Sequence, residues 1–325
     1  MTRVVRIGGG GGFWGDSAEG PAQLVRSGGI DYLVIDYLAE VTMSLLVRAR
    51  ARAPEAGYAT DFVEHAMKPL LGEIARRRIR VVTNAGGVNP LACRDALEKA
   101  VAAQGLDLKV AAVVGDDVLD RIDDLRAEGV TEMFTGETLP PKVVSANAYL
   151  GAAGIVRALE LGADIVVTGR VTDSALALAP LVHEFGWAAD DFDRLAAGSL
   201  AGHIIECGAQ ATGGLFTDWR AVPGWDRMGF PIVEVAGTGG FVVTKPEGTG
   251  GLVTPATVAE QIVYEIGDPA AYLLPDVACD FTAVRLSQVG ENRVLVEGAR
   301  GRAPGNSYKV SATYSDGYRA TATMM

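Results

Sequence analysis

Cysteine, histidine and long apolar runs are what this sequence has least of. Its 325 residues hold three cysteines, Cys93, Cys207 and Cys279. They are odd in number, far apart and without CxxC spacing, which argues against a disulfide framework or a structural zinc site. They read as reduced thiols. No apolar run approaches the ~20 residues of a membrane span, Ala163 to Thr168 being among the longest, and the opening MTRVVRIGGG lacks a signal-peptide core. The expectation is a cytoplasmic chain with no export signal and no span. Positive charge is also short, with 29 Lys plus Arg against 40 Asp plus Glu and a formal charge of −11. That argues against nucleic acid and anionic membranes as partners. With 49% hydrophobic residues, 21% charged and 41 glycines, general disorder is excluded.

What is present is a repeating grammar of short β-branched runs, Gly-rich turns and helical patterns. Six runs carry it: Arg3 to Ile7, Tyr32 to Asp36, Arg80 to Asn84, Lys109 to Gly115, Lys142 to Ala146 and Ala163 to Gly169. Each is hydrophobic nearly throughout, as strands covered on both faces are. Between them the pattern predicts helices at Ala39 to Ala51 and Phe62 to Arg78, both closing on cations (Arg48, Arg50, Arg52 and Arg76 to Arg78) that suit a helix C-terminus. From about Leu215 strand-like runs follow one another at Ile232 to Val235, Phe241 to Thr244, Phe281 to Gln288, Arg293 to Glu297 and Tyr308 to Tyr314, with one helix at Pro255 to Ile266. The fold class expected is α/β: a three-layer, mostly parallel doubly wound sheet over 1–215, then a smaller α+β domain over 216–325. A (β/α)-barrel is the alternative, if two βα units escape the count of six.

In a parallel sheet all strand tips converge on one edge, where open α/β sheets bind ligands. The polar groups at those tips are therefore the candidates. Gly8 to Gly12, then Phe13, Trp14, Gly15 and Asp16, contain G-x-G-x-x-G at Gly10, Gly12 and Gly15, and Asp36 ends the second strand where a dinucleotide fold keeps its ribose-binding acid. The broader reading is a tight turn that lets a ligand or another loop approach the backbone. Asn84, Gly86, Gly87 and Asn89 end the third strand, Asp116 and Asp117 the fourth, Asn147 and Tyr149 the fifth, Gly169, Arg170 and Asp173 the sixth.

Arg170 offers a planar two-donor fork for a carboxylate, or an internal partner for Asp173 or Asp116. Of the two aspartates, Asp116 is assigned acid/base work and Asp117 a helix cap. His203 and Glu206 stand three apart on one helix, Leu200 to Gln210, and either tune a general base or make a structural contact. They supply only two of a divalent metal's ligands, so no metal site is assigned. His65 reads as a surface or core-edge residue, and His183-Glu184 follows the apolar helix Ala175 to Leu181. Lys245 heads a Gly-rich loop that is not a P-loop and can face an anionic ligand.

Several of these strings together resemble one family: Gly12 to Asp16, Tyr32 to Glu40, Val82 to Pro90, Gly115 to Asp117, Val144 to Gly151, Asp164 to Asp173, Leu181 to Trp187, Gly202 to Gly214, Gly229 to Ile232 and Thr244 to Gly251. In the same order, from about residue 6 to 318, they are similar to the acyclic terpene utilisation (AtuA-type) proteins. The resemblance implies bacterial breakdown of branched acyclic compounds such as citronellol and geraniol, alongside enzymes that handle CoA thioesters. Such chains commonly run on past Tyr318 to Met325, so the resemblance also implies a C-terminal-domain-like part that is either carried by a separate partner chain or lost; a homo-oligomer is expected.

The function expected is an enzyme acting on a branched carboxylic acid or acyl-CoA by non-redox hydration, dehydration or hydrolysis. Asp116, His203 and Glu206 would move protons and Arg170 hold a carboxylate, with no cofactor beyond a CoA-thioester substrate. Gly12, Phe13, Asp16, Asn84, Gly86, Gly87, Asn89, Asn147, Tyr149, Gly169, Asp173 and Lys245 would line the substrate site. The alternatives are an NAD(P)-dependent oxidoreductase using Gly10 to Gly15 and Asp36, and a non-catalytic binding subunit of a multi-enzyme complex.

Overall fold

A computed structural model describes residues 3–318 and 320–324. The first half runs β1 (Val4–Gly9), α1 (Glu19–Ser27), β2 (Tyr32–Ile35), α2 (Glu40–Arg52), α3 (Leu71–Arg77), β3 (Arg80–Thr83), α4 (Pro90–Ala103), β4 (Val110–Val113), α5 (Ile122–Ala127) and β5 (Val143–Ala148). It continues through α6 (Ala153–Glu160), β6 (Ile165–Thr168), α7 (Ala175–Phe185), α8 (Phe192–Glu206), β7 (Ile232–Ala236), β8 (Phe241–Thr244) and α9 (Pro255–Val263). The last strands are β9 (Tyr272–Leu273), β10 (Ala278–Asp280), β11 (Arg285–Gly290), β12 (Arg293–Glu297), β13 (Arg300–Arg302) and β14 (Val310–Tyr314).

Nine strands form one sheet in the order β11-β12-β8-β7-β1-β2-β3-β6-β4. The five from β1 to β4 are parallel. Beyond β1 each added strand is antiparallel to its neighbour. Strand side chains alternate between two hydrophobic clusters. Val5, Ile7, Val34, Val82 and Val166 pack with α6, α7 and α8, while Leu33, Ile35, Val81, Ile165 and Val167 pack with α1 to α4. The helices therefore lie on both faces.

Chain order locates the functional edge. β1, β2, β3 and β4 advance in one direction with α1 to α4 on one face, and the chain then returns to β6 through α6 on the other, as right-handed crossovers require. The adjacent strands β3 and β6 thus send their following helices to opposite faces. A crevice at their C-terminal ends is the expected place for a ligand.

Four expectations need correction. The run at Lys142 to Ala146 is not a parallel strand of the main sheet: β5 pairs antiparallel with β14, since Ser145 and Asn147 alternate with small apolar residues and suit a strand with one polar face. The runs expected in a separate unit after 216 supply β7, β8, β12 and β11, which extend the same sheet from the β1 side. The sheet stays open between β4 and β11 among the described residues, which removes the barrel. Finally, the helix expected at Phe62 to Arg78 is a π-helical turn, Phe62–Met67, followed by α3. Among the described residues no helix is long and apolar enough to cross a membrane.

Candidate functional site

The loop after β6 is the centre of the strand-tip edge. Gly169 has no side chain because the Asp116 carboxyl lies where one would go, 2.5 Å from an ideal Cβ. That approach lets Asp116 Oδ2 accept the Arg170 backbone N–H at 2.8 Å and Asn147 Nδ2 at 2.9 Å. Burial raises the Asp116 pKa against those two hydrogen bonds. Although β5 lies outside the main sheet, its end reaches this edge, because Ala148 N–H donates to Asp116 O at 2.7 Å.

The Arg170 guanidinium is 3% exposed. Its Nη1 donates to Leu38 O at 2.7 Å and stands 3.3 Å from Asp173 Oδ1, and its plane covers the Tyr149 ring at 4.1 Å from the centroid. Lys309 approaches the same ring at 4.5 Å, and Glu40 accepts from Tyr149 and from Lys309. Arg170 is thus the internal partner of Asp173 rather than an exposed fork.

Asp36 leaves β2 pointing inward and is 5% exposed. Its Oδ1 accepts Asn84 Nδ2 at 2.7 Å and Leu38 N–H at 2.9 Å, while Asn84 Oδ1 accepts Tyr37 N–H at 2.7 Å. Burial, and then the negative charge of Asp173, push the Asp36 pKa well up, with Arg170 opposing. Burial thus favours the neutral form of Asp36, whose Oδ2 those N–H groups leave free. Asp173 is raised as well, by burial, and Arg170 and the Asp36 hydrogen bond draw it back down. Its side chain is 31% exposed and forms the mouth of the cluster.

Glu206 ends α8, where the negative end of the helix dipole disfavours an anion. Burial raises its pKa to about 7, opposed by His203. His203 Nδ1 is 2.9 Å from Glu206 Oε1 and its Nε2 faces the Gln261 and Ile262 carbonyls at 3.1 and 3.3 Å, so Nε2 carries a hydrogen. Those carbonyls are set by α9, whose start is fixed by a reciprocal Thr254/Thr257 capping box. Burial opposes charging His203, but Glu206 and the carbonyls outweigh it and raise its pKa. A proton is thereby held between the two side chains.

Among the described residues, the buried side-chain atoms with no hydrogen-bond partner include Arg170 Nε, Asp173 Oδ1, Glu206 Oε2 and, on the residue that donates to His203 O, Gln261 Oε1.

A family profile described as acyclic terpene utilisation family protein AtuA matches residues 5–325. The chain belongs to the AtuA family. Neither the curated proteins nor the solved structures searched gave a match.

In this AtuA-family chain the residues expected at the site divide into two groups. Asp116, Asn147, Tyr149, Gly169, Arg170 and Asp173 are linked by direct contacts, Asn84 binds Asp36, and His203 with Glu206 forms a separate buried pair. The others serve local structure. Asn89 donates to the Pro54 and Ala56 carbonyls at 3.0 and 2.8 Å, Asp117 caps a turn through Leu119 N–H at 3.1 Å, and Lys245 is held by Thr249 O at 2.8 Å. Gly86 lets β3 approach Thr168 O, and Gly87 takes a left-handed φ of 54° against Leu46. Sequence reasoning placed Asp36 only at a ribose and missed its burial against Asn84, and it missed Glu40 and Lys309 altogether. Only the first left a signal, an acid at a strand end.

The Gly-rich turn is packed by protein. An added Cβ on Gly9 would lie 2.3 Å from Ile205 O, and one on Gly12 would lie 2.7 Å from Cys207 Cα. α8 packs against Gly9 and Gly12 where a pyrophosphate would approach, and Asp36 is buried on Asn84 and Leu38 N–H, which argues against the dinucleotide reading. Beside the turn, Gly12 N–H donates to Asp16 Oδ2 at 2.9 Å, and Phe13, Asp16, Ile35, Tyr37, Asp61 and His65 enclose about 100 Å³. A larger groove of about 510 Å³ lies at the opposite, N-terminal ends of the strands. Its Tyr32, Arg80, His183 and Glu184 satisfy one another, so the strand-tip edge, where Arg170 and Asp173 keep unpaired buried atoms, is the better candidate. No group of three or more His, Cys, Asp or Glu is placed to hold a metal among the described residues.

Proposed function

We propose that this protein is an enzyme of branched acyclic acid or acyl-CoA catabolism that hydrates, dehydrates or hydrolyses its substrate by acid/base chemistry. The observation that carries the reading is the buried Asp36 carboxyl at the β3/β6 crevice, its pKa pushed well up by burial and then by Asp173, with the Arg170–Asp173 ion pair opposing. Two carboxyl groups with one proton between them, in a site of restricted solvent access, are equipped to give a proton to a leaving oxygen and to take one from carbon or water. Arg170 favours the ionised form of the second carboxyl, against the burial that raises its pKa. Glu206 and His203 hold another proton within reach of Asp173's field.

Asp116 and Asn147 act through the Arg170 loop, as positioning residues. Membership of the acyclic terpene utilisation family supports the substrate class. Purified protein incubated with branched 3-hydroxyacyl-CoAs, the matching enoyl-CoAs and the free acids is expected to interconvert or hydrolyse at least one of them. Asp36→Asn and Asp173→Asn should each cut the rate at least ~100-fold. No turnover by the wild type on any of these rejects the reading.

A further inference from the structure

The chain between β4 and β5 forms an arm with no core of its own. From Asp117 to Val144 no residue is buried, α5 included. The arm is nonetheless built. Arg126 Nη2 donates to Pro141 O at 3.0 Å, Val130 N–H to Leu125 O at 3.0 Å and Glu132 N–H to Glu137 O at 2.8 Å, and a Thr131–Thr138 bridge closes the hairpin. At its tip Met133 is 66% and Phe134 84% exposed, with Val130 exposed beside them. A short helix and a hairpin without a core are marginal in water, and a clustered apolar tip marks a surface that something covers.

Charge indicates the cover. The arm carries seven acids against three bases. Its Arg121 and Arg126 are taken by Asp124 and Asp123, which leaves Glu128 and Glu137 without an ion-pair partner among the described residues. The complement lies on α2, whose outer face repeats at helical spacing as Val41, Leu45, Arg48 and Arg52. Val41 is 66% and Leu45 47% exposed, where a solvent-facing helix stripe is ordinarily polar, and both arginines are exposed. An apolar pair beside two cations thus matches an apolar pair beside two anions. Within one chain α5 and α2 form no packed pair. We propose that the arm docks on α2 of a second copy of this chain, Met133 and Phe134 on Val41 and Leu45, with Glu128 and Glu137 facing Arg48 and Arg52. A two-fold axis satisfies both surfaces of both copies at once. The arm alone supplies the ~20–30 residues that a standard interface takes from each side. Because α2 starts just after Leu38, whose carbonyl accepts from Arg170, the seat borders the candidate site.

Sedimentation velocity across micromolar concentrations should show the purified chain as a dimer. Phe134→Asp and Leu45→Asp should each give a monomer that urea melts show to be folded, since both side chains are exposed in the chain alone. Arg48→Glu with Arg52→Glu, and Glu128→Lys with Glu137→Lys, should each raise the dimer Kd at least ~10-fold. Mixing those two double variants should restore dimerisation, because each reversed face then meets its opposite. A wild type that stays monomeric overturns the proposal, as another occupant then covers the arm. A dimer that both aspartate variants leave intact also overturns it, and so do charge-reversed proteins that fail to recover on mixing.

Discussion

Asp116 Oδ2 accepts the backbone N–H of Arg170 at 2.8 Å, and this contact fixes the loop that carries the buried guanidinium of the cluster. The same oxygen takes Asn147, so Asp116 ties β4, β5 and β6 together at their tips. Asp116→Ala strands two buried donors and should cost about 2–4 kcal/mol in urea unfolding. Turnover should fall with it, while the pH optimum stays at its wild-type position, because Asp116 positions the loop and exchanges no proton with substrate. A shifted optimum would give Asp116 a direct part in proton transfer.

Arg170 compensates Asp173 and covers Tyr149. Arg170→Ala leaves a carboxylate without its cation and is expected to destabilise by about 3–5 kcal/mol. Tyr149→Phe keeps the ring under the guanidinium and loses only the hydroxyl bond to Glu40, which is solvent-exposed, so about 1 kcal/mol or less is expected. Equal losses in the two urea midpoints would contradict this division.

The glycine run acts as a packing surface. Gly9→Ala drives a methyl group into Ile205 O and should destabilise by several kcal/mol, whereas Gly72→Ala, with nothing within 4 Å in α3, should stabilise by about 0.5–1 kcal/mol. Fluorescence titration with NADH and NADPH to millimolar concentration should show no binding to the wild type. Saturable binding abolished by Gly12→Ala would restore the nucleotide reading.

Stability should depend on pH through His203 and Glu206. Both have folded-state pKa values above their unfolded ones, Glu206 at about 7, so the folded state holds the extra proton. Their contribution is fully present below the unfolded glutamate pKa and is lost as pH rises toward and through 7. Relative to Glu206→Gln, the wild type should lose on the order of 3 kcal/mol between pH 5 and 8 in urea melts. Parallel profiles would show that no proton is shared there.

Much of this was readable along the chain because it is local. A buried parallel strand is a short β-branched run, so β2, β3 and β6 stand out, and a strand tip is where the next polar residue falls, which placed Asp116, Asn147, Arg170 and Asp173. What escaped is long-range. The partner of β5 lies more than 160 residues away, and antiparallel pairing leaves no mark on either strand alone. The same holds for β7, β8 and β12 joining the main sheet beyond β1. Gly9 and Gly12 read as a ligand loop because a glycine needed for α8's approach is indistinguishable in sequence from one needed for a phosphate's. Lys309 and Glu40 meet Tyr149 only because β14 lies beside α2 and β5.

The central claim is that Asp36 carries the working proton, and Asp36→Asn tests it most directly. Asparagine keeps the acceptor for Asn84 and Leu38 N–H and matches the shape of the protonated acid, so the urea midpoint at pH 7 should stay within about 1 kcal/mol of wild type or rise. Turnover of the branched hydroxyacyl or enoyl thioester should fall at least ~100-fold. A folded Asp36→Asn protein with wild-type turnover would contradict the account.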